Sequence, residues 1–173
     1  MAQTLVEKIL SRKLKKKVCA GDAVIVPVDL VFAHDGTAPL AIKQMVTALG
    51  TKRIFDPKRV ALVCDHASPP PSEQVSNVHS SLRAFARENG THWFENGDGI
   101  CHQIVLENFT APLKIIVGAD SHTTTHGVLC AFATGLGSTD VGAVLAYGKT
   151  WMEVPQSFKV EISGRMPKGT YSK

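Results

Sequence analysis

The chain has 173 residues, of which 44% are hydrophobic and 20% charged, with a net charge of +4. This composition is typical of one globular domain with a hydrophobic core and excludes a disordered chain. No apolar stretch approaches the roughly 20 residues of a membrane span, no signal sequence follows Met1, and the basic run near the start lacks interleaved aromatic residues. We therefore expect a cytoplasmic protein that binds neither membranes nor nucleic acids.

Helices and strands are predicted to alternate along the first half of the chain. The periodicity of apolar residues and the positions of glycine and proline predict, in order, a short amphipathic helix from about Thr4, a β-rich segment over 23–32, a helix from near Pro39 to Gly50, a buried strand over 59–66, a proline-led helix over 68–90 and a short strand over 91–94. Pro27 favours an edge or a broken strand inside the β-rich segment.

The second half continues the alternation. The pattern predicts a glycine-rich loop that runs into a short helix over 96–108, a strand over 113–120, helices over 127–135 and 139–148, and a final strand over 157–164. Alternating strands and helices favour one α/β domain over residues 1–173, with a mostly parallel sheet. The tail, residues 164–173, resembles the start of an interdomain linker, so we expect this domain to be the first of a longer subunit.

Three polar clusters lie at or just after the carboxyl ends of three of the predicted strands, at His34–Asp35, Asp65–His66 and Asp120–His122. In open α/β sheets, ligands bind outside the carboxyl ends of the strands, so these clusters are expected to converge on one crevice. His102, in a glycine-rich loop, is a fourth candidate. An aspartate beside a histidine fixes the imidazole tautomer and raises its basicity, which proton transfer requires.

The remaining histidines and the cysteines carry less information. His79 and His92 lie outside the clusters and are expected to be helix-surface or packing residues. His122 and His126 have the spacing of two metal ligands on a helix, but the flanking strand and glycines favour a turn. The four cysteines include no C-x-x-C pair, which argues against a self-contained zinc or iron–sulfur site and favours reduced, mostly buried thiols.

Four segments in this order, "HDGTAPLA", "CDH", "GDGICHQIVLEN" and "VGADSHTTTHG", resemble the aconitase family. The resemblance covers essentially the whole chain and is greatest to the archaeal-type large subunits of the 3-isopropylmalate dehydratase and homoaconitase branch. It implies a layered αβα domain like the first domain of aconitase. It also implies a hydro-lyase that dehydrates and rehydrates a hydroxy-di- or tricarboxylic acid at a [4Fe–4S] cluster, most simply the isomerase of leucine biosynthesis, with homoaconitase as the alternative.

The resemblance implies catalytic roles for five residues. Asp65 and His66 match the pair that protonates the departing hydroxyl. His102 and Asp120 match a second histidine–carboxylate pair, and His122 matches a group that holds the hydroxyl at the cluster.

Two further residues match substrate contacts, and the family's cluster ligands have no match. His34 stands where aconitases proper have a substrate-contacting glutamine, and Ser121 matches a substrate-binding serine. The family's ligand cysteines match none of Cys19, Cys64, Cys101 and Cys130, so no metal ligand is assigned here. We expect the ligands in the missing C-terminal part of the large subunit and a serine base on a swivelling small subunit, and we expect this chain alone to be inactive.

Two other hypotheses need only the residues present. A metal-dependent hydrolase could use the aspartates and histidines at the strand ends directly. Alternatively, the chain could be an inactive domain that only binds a partner. Added zinc or manganese should restore hydrolysis of an ester or phosphate if the chain is a hydrolase, and catalytic activity in isolation separates the inactive domain from the two enzymes.

Overall fold

A five-stranded, wholly parallel sheet lies at the centre of the structure, a computed structural model that describes residues 2–171. Across the sheet the strands are β4 (His92–Phe94), β3 (Val60–Val63), β2 (Leu30–His34), β5 (Ile115–Gly118) and β6 (Phe132–Gly135). All neighbouring pairs run parallel. The predicted α/β class and parallel sheet are therefore confirmed.

Two further strands form a small antiparallel sheet of their own. They are β1 (Ala23–Pro27) and β7 (Lys149–Glu153), with Pro27 opposite Lys149 at the end of the ladder. The predicted β-rich segment over 23–32 is thus two strands in two sheets, as Pro27 indicated. Strand β7 was not predicted.

In the part of the chain that the structure describes, five α-helices surround the sheet: α1 (Leu5–Leu14), α2 (Ala38–Leu49), α3 (Glu73–Asn89), α4 (Cys101–Asn108) and α5 (Ser138–Tyr147). The predicted ends of α2 at Gly50 and of α3 at Gly90 are confirmed. Helix α3 begins later than predicted, after the proline run, because a residue that precedes proline avoids the helical conformation. Among residues 2–171, no helix is long and apolar enough to cross a bilayer.

The sheet separates two apolar cores. In β2, Val31 and Ala33 pack into the larger core, which includes the apolar sides of α2, α3 and α5. Leu30 and Phe32 point to the opposite face and pack into the smaller core with α4. Buried on both faces, the strands have continuous rather than alternating apolar sequences. This arrangement gives the αβα layers that the resemblance implied.

Two predicted elements are wrong. Residues 127–135 were expected to be a helix, but they contain the end of a 3₁₀ helix (Ser121–Leu129) followed by β6. The same 3₁₀ helix stands where a turn was predicted after Asp120. The segment 157–164, expected to be a strand, is neither helix nor strand. Its apolar residues do alternate, but a strand needs a neighbour for its backbone groups, and none pairs with it within residues 2–171. The linker over 164–173 stays a prediction, and its last two residues lie outside the described range.

Helices α2 and α5 make a close backbone contact at Gly142. A Cβ atom on Gly142 would lie 2.7 Å from the carbonyl oxygen of Ala41 and 3.0 Å from the amide nitrogen of Met45. Real Cβ atoms do not approach backbone atoms so closely, so any larger residue forces the two helices apart.

We expect Gly142→Ala to lower the free energy of unfolding by about 1–3 kcal/mol, the usual cost of overpacking a core. Gly127→Ala is the matched control, since a Cβ atom there meets nothing within 4 Å. It should change the free energy of unfolding by less than about 0.5 kcal/mol. Urea denaturation of the three proteins measures both effects, and equal midpoints for Gly142→Ala and the wild type would contradict the close contact.

Candidate active site

The order of the strands reverses at β2 and β5, and we call the space outside the carboxyl ends of these two strands the crevice. The chain passes from β2 through β3 to β4 on one side and then crosses back to β5 on the other side of β2. Such a reversal is where open α/β sheets bind their ligands. His34 is the last residue of β2, and Asp120 comes two residues after β5. The two side chains face each other across this point, with 3.9 Å between His34 Nε2 and Asp120 Oδ2.

His34 is a buried imidazole whose tautomer is defined by the backbone. The amide of Gly36 donates to Nδ1 at 3.1 Å, so the ring proton must lie on Nε2, the atom that faces Asp120. Burial lowers the pKa of His34, and the neighbouring His66 lowers it further. The ring is therefore a neutral hydrogen-bond donor that points into the crevice.

Asp65 and His66 form the second unit, in the loop after β3. The Asp65 carboxylate contacts His66 Nδ1 at 2.8 Å through one oxygen and accepts the amide of Cys101 at 2.7 Å through the other. Although burial acts to raise the pKa of Asp65, these contacts lower it overall. The ring of His66 stacks on that of His34, with 3.5 Å between centroids and 9° between planes. Because Nδ1 is engaged, Nε2 of the half-exposed His66 ring is available for proton transfer.

Asp120 forms the third unit and accepts three hydrogen bonds on one oxygen. The donors are His102 Nε2 at 2.9 Å, the amide of His122 at 2.7 Å and His122 Nδ1 at 3.2 Å. The predicted contact between Asp120 and His102 is thus confirmed. Burial acts to raise the pKa of Asp120, but the amide of His122 and the ring of His102 lower it overall. The carboxylate is ionised and orients two imidazoles at once.

The glycine before this unit allows the chain to fold back on the sheet. A Cβ atom on Gly118 would lie 2.1 Å from Thr123 Oγ1 and 2.7 Å from the ring of Phe32. Thr123 is fully buried, and its hydroxyl donates to the carbonyl of Asp120 at 2.6 Å. This packing begins the 3₁₀ helix and fixes the direction in which Asp120 and His122 leave β5.

His126 lies behind the crevice rather than in it. Its ring is fully buried, with its centroid 5.8 Å from that of His102 and 5.4 Å from that of Phe32. Thr110 donates its hydroxyl proton to the carbonyl of Val105, so its oxygen can only accept from His126 Nδ1, at 3.3 Å. Burial, and to a smaller extent His102, lowers the pKa of His126 to about 4. His126 is therefore a neutral residue, and the structure does not bring it together with His122 as a metal pair.

Asp35 and His79 form a contact that was missed in the sequence. Asp35 does not pair with His34, since 3.9 Å separates its Oδ1 from Nδ1 of that ring. It accepts His79 Nε2 at 3.0 Å, although His79 had been assigned only a surface or packing role. The sequence does contain an indication that His79 is buried, since it lies between Val75 and Leu82 on the apolar side of α3.

The predicted site residues are therefore brought together, although their catalytic roles stay predictions. There are two groups of possible metal-binding atoms, and within each group the atoms lie within 4.8 Å of one another. One group includes His34 and His66, and the other includes His102 and His122. Ser121 is exposed at the start of the 3₁₀ helix beside them.

The cysteines form no comparable set. Cys19 and Cys130 are exposed, so the expectation of mostly buried thiols holds only for the other two. Burial raises the pKa of Cys64 to about 12 and also raises that of Cys101, which keeps both thiols protonated. Within the described residues, no group of potential metal ligands includes a cysteine.

The lowered pKa of His126 predicts a pH dependence of stability. In the unfolded chain this histidine titrates near 6.5, so between pH 6.5 and 4 the unfolded state binds more protons than the folded state. The free energy that the neutral His126 ring contributes to folding is therefore fully present above pH 6.5 and is lost as the pH falls to 4. We expect the free energy of unfolding to fall across this window by on the order of 3 kcal/mol from His126 alone.

His126→Gln removes the titrating group and should flatten the dependence of the free energy of unfolding on pH. A smaller slope should remain in this variant, because the pKa of His34 is also lowered. His92→Gln changes an exposed histidine and serves as the control, which should behave like the wild type. Denaturant unfolding at several pH values measures the slopes. The same slope for His126→Gln and the wild type would exclude His126 as the cause.

Comparison with known proteins agrees with this geometry. The sequence model of the aconitase family (aconitate hydratase) matches residues 7–173. The 3-isopropylmalate dehydratase large subunit 1 of Archaeoglobus fulgidus is 47% identical over the whole chain, which covers 42% of that relative. The corresponding large subunit of Elusimicrobium minutum is 46% identical, again over the whole chain and 41% of the relative.

A third relative carries a different name. The methanogen homoaconitase large subunit of Methanocaldococcus jannaschii is 42% identical over 94% of this chain and 38% of its own length. The chain thus spans about two-fifths of the length of these curated relatives. A family match over nearly every residue, together with identities above 40% across the whole chain, shows that the chain belongs to the aconitase family.

Proposed function

We propose that this chain forms one wall of the active site of a hydro-lyase that isomerises a hydroxy-di- or tricarboxylic acid by dehydration and rehydration. The substrate that the names of the relatives favour is 3-isopropylmalate, in leucine biosynthesis; homoaconitase activity is the alternative. The observation that carries the proposal is the convergence of two Asp–His pairs, Asp65–His66 and His102–Asp120, on one sheet edge. Removing a hydroxyl and a proton from adjacent carbons needs groups of this kind.

In this proposal the Asp65–His66 pair is the acid for the departing hydroxyl. The Asp65 carboxylate engages Nδ1 and stabilises the imidazolium, so a proton on Nε2 can pass to the leaving oxygen. Stacking on His34 holds the plane of the ring while the proton moves. In the reverse direction the same nitrogen accepts the proton from water.

The other residues supply hydrogen bonds to the substrate oxygens. His34 presents its Nε2 proton at the crevice, and Asp120 orients the exposed ring of His122 toward the same space. His102, whose Nδ1 is buried, acts through its contact with Asp120. Ser121 adds a hydroxyl at the entrance. Donors that are fixed before the substrate binds stabilise charge that develops on its oxygens during the reaction.

The proposed [4Fe–4S] cofactor would have to be bound by residues outside this chain. A cluster of this type needs thiolate ligands, and the four cysteines here are separated or buried as protonated thiols. The chemistry that the cluster supplies when bound is Lewis-acid activation of the substrate hydroxyl. We place its ligands in the C-terminal part of a longer large subunit and infer a small subunit as a second partner.

A cytoplasmic location is part of this proposal. The four cysteines are free thiols in the structure. Thiols that are not paired in disulfides fit a reducing compartment.

A metal-dependent hydrolase is less well supported by the same atoms. Both oxygens of Asp35 are occupied by backbone amides, and Nδ1 of His34 accepts the amide of Gly36. A metal ion would have to displace these hydrogen bonds before it could bind. Around His34 and Asp35, the atoms that a metal ion would need are therefore already engaged in hydrogen bonds.

We expect Asp120→Asn, in the assembled large and small subunits with the cluster, to lower kcat by at least about 100-fold. The Michaelis constant should change less than about threefold, because the interaction matters most as charge moves in the transition state. Asp56→Asn is the control: this half-buried residue caps a short 3₁₀ helix at the opposite edge of the sheet, where asparagine can accept the same amide. A large rise in the Michaelis constant with unchanged kcat would argue against a catalytic role.

We expect residues 1–173 alone to assemble no stable [4Fe–4S] cluster and to be inactive. The chain should be incubated anaerobically with iron and sulfide, followed by measurement of iron per chain and of visible absorbance. A stoichiometric cluster would show that the cysteines converge after all and would overturn our placement of the ligands.

A further inference from the structure

Asp35 and His79 form a buried hydrogen bond one layer behind the crevice. Their side chains are only 2% and 3% exposed, and Asp35 Oδ2 lies 3.0 Å from His79 Nε2. Residue 35 directly follows β2, whereas residue 79 lies on α3, so the contact joins the sheet to a helix that contributes nothing else to the site. Within residues 2–171, His79 Nδ1 is buried and has no hydrogen-bond partner.

The unpartnered nitrogen shows that packing alone does not explain a histidine at position 79. A buried polar atom without a hydrogen bond costs free energy, and a leucine would fill similar space without that cost. What a leucine lacks is a donor for Asp35. The hydrogen bond from the His79 ring to the Asp35 carboxylate therefore compensates for the cost of the unpartnered nitrogen.

Asp35 in turn holds the loop that carries His66. Its Oδ1 accepts the amide of His66 at 3.1 Å, and its Oδ2 accepts the amide of Ala67 at 2.8 Å. Two successive amides bound to one carboxylate fix the backbone at residue 66. They thereby fix the direction of the His66 side chain, which stacks on His34 and contacts Asp65.

We propose that Asp35 and His79 are a positioning pair for His66. His79 donates to Asp35 and fixes the orientation of its carboxylate, and Asp35 holds the backbone so that the His66 ring stays stacked and paired. Neither residue touches the crevice, so both act through His66. The consequence for catalysis rests on the proposed function, whereas the effect on the His66 ring does not.

The test compares three substitutions in the full chain, labelled with ¹³C at the histidine rings and studied by NMR without substrate. His79→Leu removes the donor, His79→Gln replaces Nε2 with an amide donor at a similar position, and His92→Leu is the control on an exposed histidine. The stacked His34 ring shifts the His66 ring protons. We expect His79→Leu to move these resonances toward those of a free histidine, His79→Gln to restore most of the shift, and His92→Leu to leave them unchanged.

Asp35→Asn is a second variant in case His79→Leu does not fold. It keeps the size of the side chain but loses one of the oxygens that accept the loop amides, so it should displace the His66 resonances in the same direction. Folded His79→Leu or Asp35→Asn protein with unshifted His66 resonances would overturn the proposal.

A kinetic measurement on the assembled enzyme extends the test. His79→Leu should lower kcat by at least about tenfold with little change in the Michaelis constant, and His79→Gln should recover most of the loss. Equal losses for His79→Leu and His79→Gln would mean that the donor is not what matters and would overturn the proposal. A wild-type enzyme without hydro-lyase activity would refute the proposed function alone, since the NMR result does not depend on it.

Discussion

Parallel pairing of β2 with β3 on one side and β5 on the other is the constraint on which the site depends. Because all three strands run in the same direction, the chain leaves each of them at the same edge of the sheet. Polar residues at the ends of the strands are thereby brought close together: His34 Nε2 and Asp120 Oδ2 lie 3.9 Å apart although the two residues are separated by 86 positions in sequence. Backbone hydrogen bonds that contain no catalytic atom thus assemble the candidate site.

The three aspartates after these strands share one physical arrangement. Each accepts at least one backbone amide: from His66 and Ala67 for Asp35, from Cys101 for Asp65 and from His122 for Asp120. These amides offset burial and keep the pKa of each carboxyl below its ordinary value. An ionised carboxylate with a fixed orientation then directs an imidazole. The same interaction connects neighbouring loops and prepares the histidines for proton transfer.

The convergence of these clusters could be predicted from the sequence because it follows from the direction of the strands alone. The contact of His102 with Asp120 was predictable for the same reason, once the family resemblance paired them. The role of His79 could not be predicted, since its sequence position indicates only a buried face of α3, and its partner lies 44 residues away. Strand β6 was missed because a four-residue apolar segment fits a helix as well as a strand, and its pairing with β5 decides between them.

The histidines form two layers that differ in exposure. The side chains of His66 and His122, 45% and 78% exposed, form the outer layer, whereas His34 and His102 lie mostly buried beneath them and His126 is buried completely. The outer rings can exchange protons with a bound molecule, and the inner rings are held by backbone or carboxylate contacts. In the proposed removal and return of water, the outer rings would transfer protons above inner rings that these contacts hold in place. A hydrolytic metal site would instead need free nitrogen and oxygen atoms directed at a single point, whereas both oxygens of Asp35 and both oxygens of Asp65 already accept hydrogen bonds.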